Sequence, residues 1–140
     1  MPQSTLNEEV AKITENYINA LTETVNGYSE VKLSLSEIQK EITEINKVFN
    51  YLSKKWAFEI LVLLYMRILK FNELKNLLIG ISSRTLTDRL RMLEAAGFIS
   101  RNIVNEAPVR IEYSLTEKGR RTAISCYPLI YQSKRNNPLK

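Results

Sequence analysis

SSRTLTDRLRMLEAAG, residues 82–97, is the part of this sequence that most restricts its fold. On a helix of about 100° per residue, its three leucines fall within about 60° of one another. Arg84, Asp88 and Arg91 lie on the opposite side. The glycine that closes the stretch is typical of a helix end. The pattern predicts a helix over about 82–96 that buries its leucines and presents a polar edge.

The residues that follow predict a change from helix to strand. FISRNIV (98–104) is rich in β-branched residues, and VRIEYSL (109–115) alternates strictly between apolar and polar residues. A turn containing Pro108 separates the two stretches, so we expect a β-hairpin over about 98–115. The alternation places Tyr113 on the inner face of the hairpin, as part of the core.

Two more helices are predicted on the N-terminal side of residue 82. Residues 54–69 are apolar on more than one side, which is typical of a buried central helix. Residues 71–78 form a shorter helix that Gly80 ends. The order helix, short helix, polar-faced helix and hairpin is that of a winged helix-turn-helix domain. We therefore expect a mainly α fold with a small β-hairpin wing (α+β).

Extra helices are predicted at the N-terminus. A capping box begins each of them, at Thr5–Glu8 and at Ser34–Glu37. The first helix carries one apolar stripe and is expected to end at Asn26-Gly27. The second repeats apolar residues at spacings of three and four, like a coiled-coil seam. Because such stripes are unstable alone in water, we expect them to pack on the domain or on another copy of the chain.

The predicted organisation has three parts. Residues 1–52 hold the N-terminal helices, for which we expect a role in dimerisation, and residues 53–115 form the winged helix-turn-helix core. Residues 116–140 add a last helix and a tail, also expected to serve dimerisation. Thr116 caps this helix, and Pro128 ends or kinks it.

Charge is divided unevenly along the chain. Residues 1–53 hold four Lys/Arg and eight Asp/Glu, a net charge of −4, whereas residues 54–140 hold sixteen and seven, a net charge of +9. A basic C-terminal part suits phosphates, and an acidic N-terminal part suits a protein partner. An ordinary solvated surface gives the same totals, so charge alone leaves both interpretations open.

The composition argues against several classes of function. The sequence has no histidine, one cysteine and no glycine motif that cradles phosphates. We therefore expect no enzyme activity, no cofactor and no metal site. No apolar run reaches the roughly 18 residues of a membrane helix, and the N-terminus lacks the pattern of a secretory signal. The expectation is a cytoplasmic protein with no membrane partner.

The polar edge of the 82–96 helix and the predicted wing supply candidate DNA-binding residues. A helix fits the major groove of B-DNA, about 12 Å wide, where arginine can hold guanine through two hydrogen bonds. The wing arginines are expected to contact phosphates or the minor groove. The candidates are Ser82, Ser83, Arg84, Thr85, Thr87, Asp88, Arg91, Arg101 and Arg110.

Several residues have a second interpretation. The helix arginines also suit a merely solvated face, and Asp88 suits orienting an arginine three or four residues away. Arg89 flanks the buried edge, so we expect a structural pair, with a nearby Glu as the partner. Trp56 is expected in the core or an interface, and Cys126 as a small buried residue rather than a redox switch. Lys118 and its neighbouring arginines suit either DNA phosphates or solvent.

Several short motifs follow one another in order through residues 52–121, with no insertion or deletion between them. They are Lys55-Trp56, FNEL at 71–74, GIS at 80–82, Leu86-Thr87, Arg89-Leu90, Leu93-Glu94 with Gly97, and PVRIEYSLT at 108–116 with Gly119. With these motifs the sequence resembles the HxlR-type regulators, a branch of winged-helix transcription factors near the MarR group. The resemblance implies a dimer formed by the N- and C-terminal helices. It also implies a pseudo-palindromic operator bound by the helix that begins at Ser82.

Two features depart from that family. Many HxlR-type proteins carry a cysteine near the start of the helix that precedes Lys55, and some sense oxidants through it. The corresponding stretch here, residues 33–52, contains none, so sensing through that position is not supported. The helix over about 5–25 lies outside the usual pattern, and we expect it to enlarge the dimer interface or to cover the domain.

The sequence therefore predicts a homodimeric, sequence-specific transcription regulator that binds double-stranded DNA. Residues 82–96 would enter the major groove, and residues 98–115 would lie on the adjacent backbone or minor groove. The alternative is a winged-helix adaptor that binds other proteins of the transcription machinery through its N-terminal helices. The operator, the direction of regulation and any small-molecule effector do not follow from the sequence.

Overall fold

The structure is a computed structural model that describes residues 3–29 and 32–136. These residues form seven helices and three strands: α1 (Gln3–Ser29), α2 (Leu35–Leu52), α3 (Ala57–Met66), β1 (Leu69–Lys70), α4 (Phe71–Leu77), α5 (Ser83–Ala95), β2 (Ile99–Val104), β3 (Arg110–Leu115), α6 (Glu117–Ser125) and α7 (Tyr127–Asn136). Glu44–Cys126 is one compact unit, and the described residues before and after it form another. No helix within the described ranges has the length and apolar character needed to cross a membrane.

The core lies in the Glu44–Cys126 unit. α3 is apolar nearly all round, and Ile60 and Leu61 on it are completely buried. Each such side chain contributes roughly 1.5–3 kcal/mol of burial free energy, so the core fixes α5 and the hairpin to one body. The buried apolar residues are Ala57, Ile60, Leu61, Leu64, Leu69, Leu74, Leu78, Ile81, Leu86, Leu90, Leu93, Phe98, Ile99, Tyr113 and Ala123.

The sheet is antiparallel, with strand order β1-β3-β2. β2 and β3 form the predicted hairpin, and Tyr113 on the central strand is buried as predicted. Tyr113 lies opposite Arg101 on one side and opposite Leu69 on the other. β1 was not predicted, because a strand of two residues is too short to show alternation.

Gly97 determines how the chain leaves α5 and enters the wing. Its φ of 81° lies in the left-handed region that glycine adopts most easily. The Phe98 N–H donates to the Leu93 carbonyl at 2.9 Å, and the Gly97 N–H donates to the Glu94 carbonyl at 3.0 Å. These two bonds are those of a Schellman motif, which satisfies the last carbonyls of the helix. The predicted end of the 82–96 helix is therefore confirmed.

The N-terminal helices agree only partly with the prediction. The capping box of α2 is present, since the Ser34 N–H donates to Glu37 Oε2 at 2.8 Å and the Glu37 N–H donates to Ser34 Oγ at 3.3 Å. The first helix was placed wrongly at both ends: α1 already begins at Gln3 and runs on to Ser29. It continues through Gly27 because a helix interior tolerates one glycine, at about 1 kcal/mol relative to alanine.

Two other helices differ from the prediction in their ends. The central helix was expected over residues 54–69, but α3 begins only at Ala57, after the left-handed Trp56, and ends at Met66. Arg67 then takes extended backbone, which allows Leu69 to pair with Tyr113. The last helix is broken in two, with α6 ending at Ser125 and α7 beginning at Tyr127. Pro128 therefore lies in the first turn of α7, where a missing backbone N–H leaves no helical bond unmade.

Candidate nucleic-acid interface

The start of α5 is held by hydroxyl groups among the candidate residues. Ser82 Oγ accepts a hydrogen bond from the Thr85 N–H at 3.0 Å and lies 2.9 Å from Thr85 Oγ1, to which it donates. Thr87 Oγ1 donates to the Ser83 carbonyl at 2.8 Å. These bonds fix the first turns of the helix and leave the Thr87 oxygen free to accept.

α5 presents opposite faces of very different character. Leu86 and Leu93 are completely buried on one side, whereas Arg84, Asp88 and Arg91 are exposed on the other. Within the described part of the chain, none of these three charged groups takes part in an ion pair. Asp88 is therefore not paired with either arginine. The helix offers two free guanidinium groups along one exposed edge.

The two wing arginines are in different states. Arg101 on β2 is exposed. Arg110 on β3 makes two ion pairs, with Nε 2.8 Å from Glu112 Oε1 and Nη1 3.0 Å from Glu106 Oε2. The hydrogen bonds to Glu112 and then Glu106 raise the pKa of the Arg110 guanidinium. The positive charge of Arg110 is thus balanced within the wing, while that of Arg101 faces solvent.

α5 and the wing meet at an open cleft of about 410 Å³. Three predicted residues line it together: Thr87 and Arg91 from α5, and Arg101 from β2. Its other lining residues are Phe71, Leu90, Glu94 and Tyr113. Ser82, Ser83, Arg84, Thr85, Asp88 and Arg110 do not line this cleft, and Arg84 and Asp88 extend the exposed edge of α5 instead.

Part of the cleft was not predicted. Glu94 follows Arg91 by three residues, and this helical spacing is the signal that would have placed both on one side of α5. Phe71 and Tyr113 reach the cleft through the pairing of β1 with β3, for which the sequence gives no local signal. Because Glu94 adds a carboxylate, the cleft carries both positive and negative charge rather than positive charge alone.

Arg89 and Lys118 bond to backbone carbonyls and do not belong to the exposed edge of α5. Arg89 Nε donates to the Lys55 carbonyl at 2.7 Å, so its expected structural role is confirmed, but the partner is a backbone oxygen and not a Glu. Lys118 Nζ donates to the Ala96 carbonyl at 2.7 Å and lies 4.4 Å from the centre of the Phe98 ring. A cation at the C-terminal end of a helix is also favourable to the helix dipole.

The exposed edge of α5 and the neighbouring wing are rich in hydrogen-bond donors. The described ranges contain no group of three or more His, Cys, Asp or Glu side chains arranged to hold a metal ion. Arg84, Arg91 and Arg101 supply exposed hydrogen-bond donors with permanent positive charge. Such a surface complements a partner rich in acceptors and negative charge.

Residues 51–131 match the family model of the HxlR-like helix-turn-helix. The chain belongs to this family. The expected resemblance and the winged-helix fold class are confirmed. The segment that the family model covers begins near the end of α2 and includes all three strands and α6.

Proteins similar to this chain include HTH-type transcriptional regulators from bacteria. YvaP of Bacillus subtilis (strain 168), an uncharacterized HTH-type transcriptional regulator, is 43% identical over 72 residues, which are 51% of this chain and 67% of YvaP. An uncharacterized HTH-type transcriptional regulator of a Synechocystis species is 42% identical over 52% of this chain and 54% of its own length. The chain therefore spans about half to two thirds of the length of these relatives.

Solved structures show the same fold over a longer range. The reduced form of the transcriptional regulator YodB from B. subtilis is 28% identical and superposes with a TM-score of 0.60, covering 69% of this chain and 96% of YodB. The redox regulator HypR in its oxidized form is 28% identical, with a TM-score of 0.62 over 67% of this chain and 97% of HypR.

Proposed function

We propose that this chain is a sequence-specific transcription regulator that binds double-stranded DNA with α5 in the major groove. The observation that carries the proposal is the division of α5 between buried leucines and the exposed, unpaired arginines Arg84 and Arg91. Arginine donors match the O6 and N7 acceptors of guanine, and the exposed edge has the length of a few base pairs. Membership of the HxlR-like helix-turn-helix family supports the same assignment.

The wing is proposed to lie on the backbone or minor groove beside α5. Arg91 and Arg101 line one cleft from two elements, so a phosphate group near the cleft is within reach of both. Ser83 and Arg84 lie in the first turn of α5, whose unsatisfied N–H groups also favour phosphate. Arg110 is expected to contribute less than Arg101, because two carboxylates already balance its charge.

We further propose that the regulator acts as a homodimer on a pseudo-palindromic operator. The seam of α2 is exposed, with relative accessibilities of 44% at Ile38, 53% at Ile42, 50% at Ile45 and 56% at Phe49. A second copy of the chain offers an equal apolar seam, which suits a symmetric interface. Two α5 helices would then enter successive major grooves, about 34 Å apart.

The adaptor function remains the second candidate, because the exposed seam of α2 also suits another apolar protein surface. The adaptor function, however, gives no role to the unpaired arginines of α5 or to the cleft that Arg91 lines together with the wing. Both candidates are non-enzymatic, and we propose a cytoplasmic location for either of them. DNA selection distinguishes them, since only a DNA reader enriches a defined sequence.

In vitro selection of duplex DNA by the full chain tests the proposal. We expect a short near-palindrome, bound with an affinity that falls steeply as salt rises, because phosphate contacts release counterions. A pool that shows no enriched sequence and equal binding to all duplexes would contradict DNA reading.

Arg84→Ala and Arg91→Ala test the role of individual side chains. Each is expected to weaken binding to the selected duplex by about 1–3 kcal/mol and to relax the preference at one or two base pairs. The melting temperature should stay unchanged, because both side chains are exposed. Lys40→Ala removes an exposed cation from α2 and serves as the matched control, with wild-type binding expected.

A further inference from the structure

A long-range hydrogen bond joins α5 to the turn between α2 and α3. Arg89 Nε donates to the carbonyl oxygen of Lys55 at 2.7 Å, across 34 residues of sequence. Since the guanidinium is always charged, this bond is stronger than one between neutral groups. Arg89 is half-buried and lies about 140° around the helix from Arg84, away from the exposed edge. The bond therefore connects the inner side of α5 to the turn between α2 and α3.

The turn that Arg89 holds has an unusual backbone. The Ser53 N–H makes the last bond of α2, to the Phe49 carbonyl at 2.9 Å, and α3 begins at Ala57. Between them Trp56 has φ 76° and ψ −14°, a left-handed conformation that bulky residues avoid. Such a conformation persists only where the surroundings over-determine it.

Contacts from two sides define this turn. The Trp56 ring packs against the core, and Lys55 Nζ lies 5.2 Å from the ring centre. Arg89 fixes the orientation of the Lys55 carbonyl, which belongs to the peptide group directly before the left-handed residue. The direction of the last turns of α2, residues 44–52, is therefore set partly by a side chain of α5 within the same unit.

We propose that Arg89 is a positioning residue that sets which spacing between DNA half-sites the dimer accepts. The inference rests on the proposed function, in which the α2 seam joins two copies and α5 reads the DNA. Ile45 and Phe49 of the seam lie on the part of α2 that belongs to the same compact unit as α5. If these residues hold the partner and α5 holds the groove, the angle between the two segments within that unit fixes the separation of the two recognition helices. Half-site spacing is a geometric property of a dimer, whereas affinity for one half-site depends on α5 and the wing alone.

The experiment compares duplexes that differ only in spacing. The probes are the duplex selected by the wild-type chain, its derivatives with one or two base pairs added or removed at the centre, and a duplex with one half-site. We expect Arg89→Gln to bind the single half-site within about twofold of wild type, while its preference for the selected spacing falls about tenfold. Arg89→Lys keeps the charge and a donor and should recover part of the preference.

Two further measurements separate positioning from simple loss of stability. Arg67→Ala removes an exposed arginine from the same unit and should leave the spacing profile unchanged. Trp56 is the only tryptophan of the chain, so its fluorescence reports on the turn itself. Arg89→Gln is expected to shift this emission to longer wavelength at a temperature where the far-UV circular dichroism is still that of the folded chain.

The outcomes are distinguishable. A wild-type spacing profile in Arg89→Gln overturns the inference, and so does a loss of affinity that is equal for every duplex, including the single half-site. A wild-type chain that selects no duplex overturns the proposed function and this inference with it. Loss of spacing preference with retained half-site affinity and a shifted Trp56 emission supports the positioning role.

Discussion

Gly119 shows how a single missing side chain allows α6 to close against the wing. It is buried in the first turns of α6, and a Cβ at this position would collide with the Phe98 carbonyl oxygen. The same oxygen accepts a hydrogen bond from the Thr116 N–H at 3.1 Å. The Gly119 N–H in turn donates to Thr116 Oγ1, which caps the helix. Close approach of two backbones at this point therefore requires glycine.

Gly119→Ala is expected to lower the free energy of unfolding by about 1–3 kcal/mol, because the added methyl group forces the backbones of α6 and Phe98 apart. Urea denaturation of the full chain measures the change. Gly27→Ala is the matched control, since a Cβ there meets no atom within 4 Å and the position lies inside α1. Alanine at this helical site should leave stability unchanged or raise it by up to about 1 kcal/mol. Equal effects of the two substitutions would contradict the collision.

Cys126 illustrates how burial changes the reactivity of a single group. Partial burial raises the pKa of the Cys126 thiol above its usual value. Because only the thiolate is nucleophilic, the folded chain should react with iodoacetamide more slowly at pH 7–8 than the urea-unfolded chain. The rate of the folded chain should continue to rise at a pH where that of the unfolded chain has levelled off. A thiol that reacts equally fast in both states would refute this, and the prediction agrees with an unreactive, structural role for Cys126.

At the scale of elements, local signals were sufficient for α5 and the hairpin. The serine cap, the spacing of the leucines and Gly97 all act within one or two turns, and strand alternation acts within six residues. β1 was missed because its two residues are defined only by pairing with β3, far along the chain. The early end of α3 has the same cause, since Leu69 is taken into the sheet. Elements that depend on distant partners show no periodic pattern of apolar residues in the local sequence.

The candidate site follows the same rule. The exposed edge of α5 was predictable, because a single helix places Arg84, Asp88 and Arg91 on one side. The pairing of Arg110 was not, since it depends on how β3 and the preceding turn present Glu112 and Glu106. The partner of Arg89 could not be predicted either. Every residue has a backbone carbonyl, so the sequence does not show which of them accepts the hydrogen bond.

At the scale of the whole molecule, apolar residues are distributed in two ways. The buried apolar residues of the described ranges all lie in the Glu44–Cys126 unit, where they form one core. α2 has no buried residue, and large apolar side chains of α1, such as Ile13 and Val25, are also exposed. Helices with uncovered apolar stripes have little stability of their own in water. We therefore expect a partner surface to cover these apolar stripes, and the proposed second copy of the chain can supply it.

Ile42→Glu tests whether the α2 seam joins two copies. Ile42 lies in the middle of the seam and is 53% exposed. Because it is not part of the core, a carboxylate at this position should not lower the stability of the single folded chain. In a symmetric interface it places two like charges in an apolar contact, and we expect at least about a tenfold weaker dimer by sedimentation equilibrium.

Thr43→Glu introduces the same charge one residue away, about 140° from Ile38 and off the seam, and should leave the dimer constant unchanged. If both variants stay as dimeric as the wild-type chain, or if the wild-type chain is monomeric, the seam does not join two copies. If only Ile42→Glu dissociates, the spacing of the two α5 helices becomes a property of α2, and operator binding should weaken with it while binding to one half-site persists.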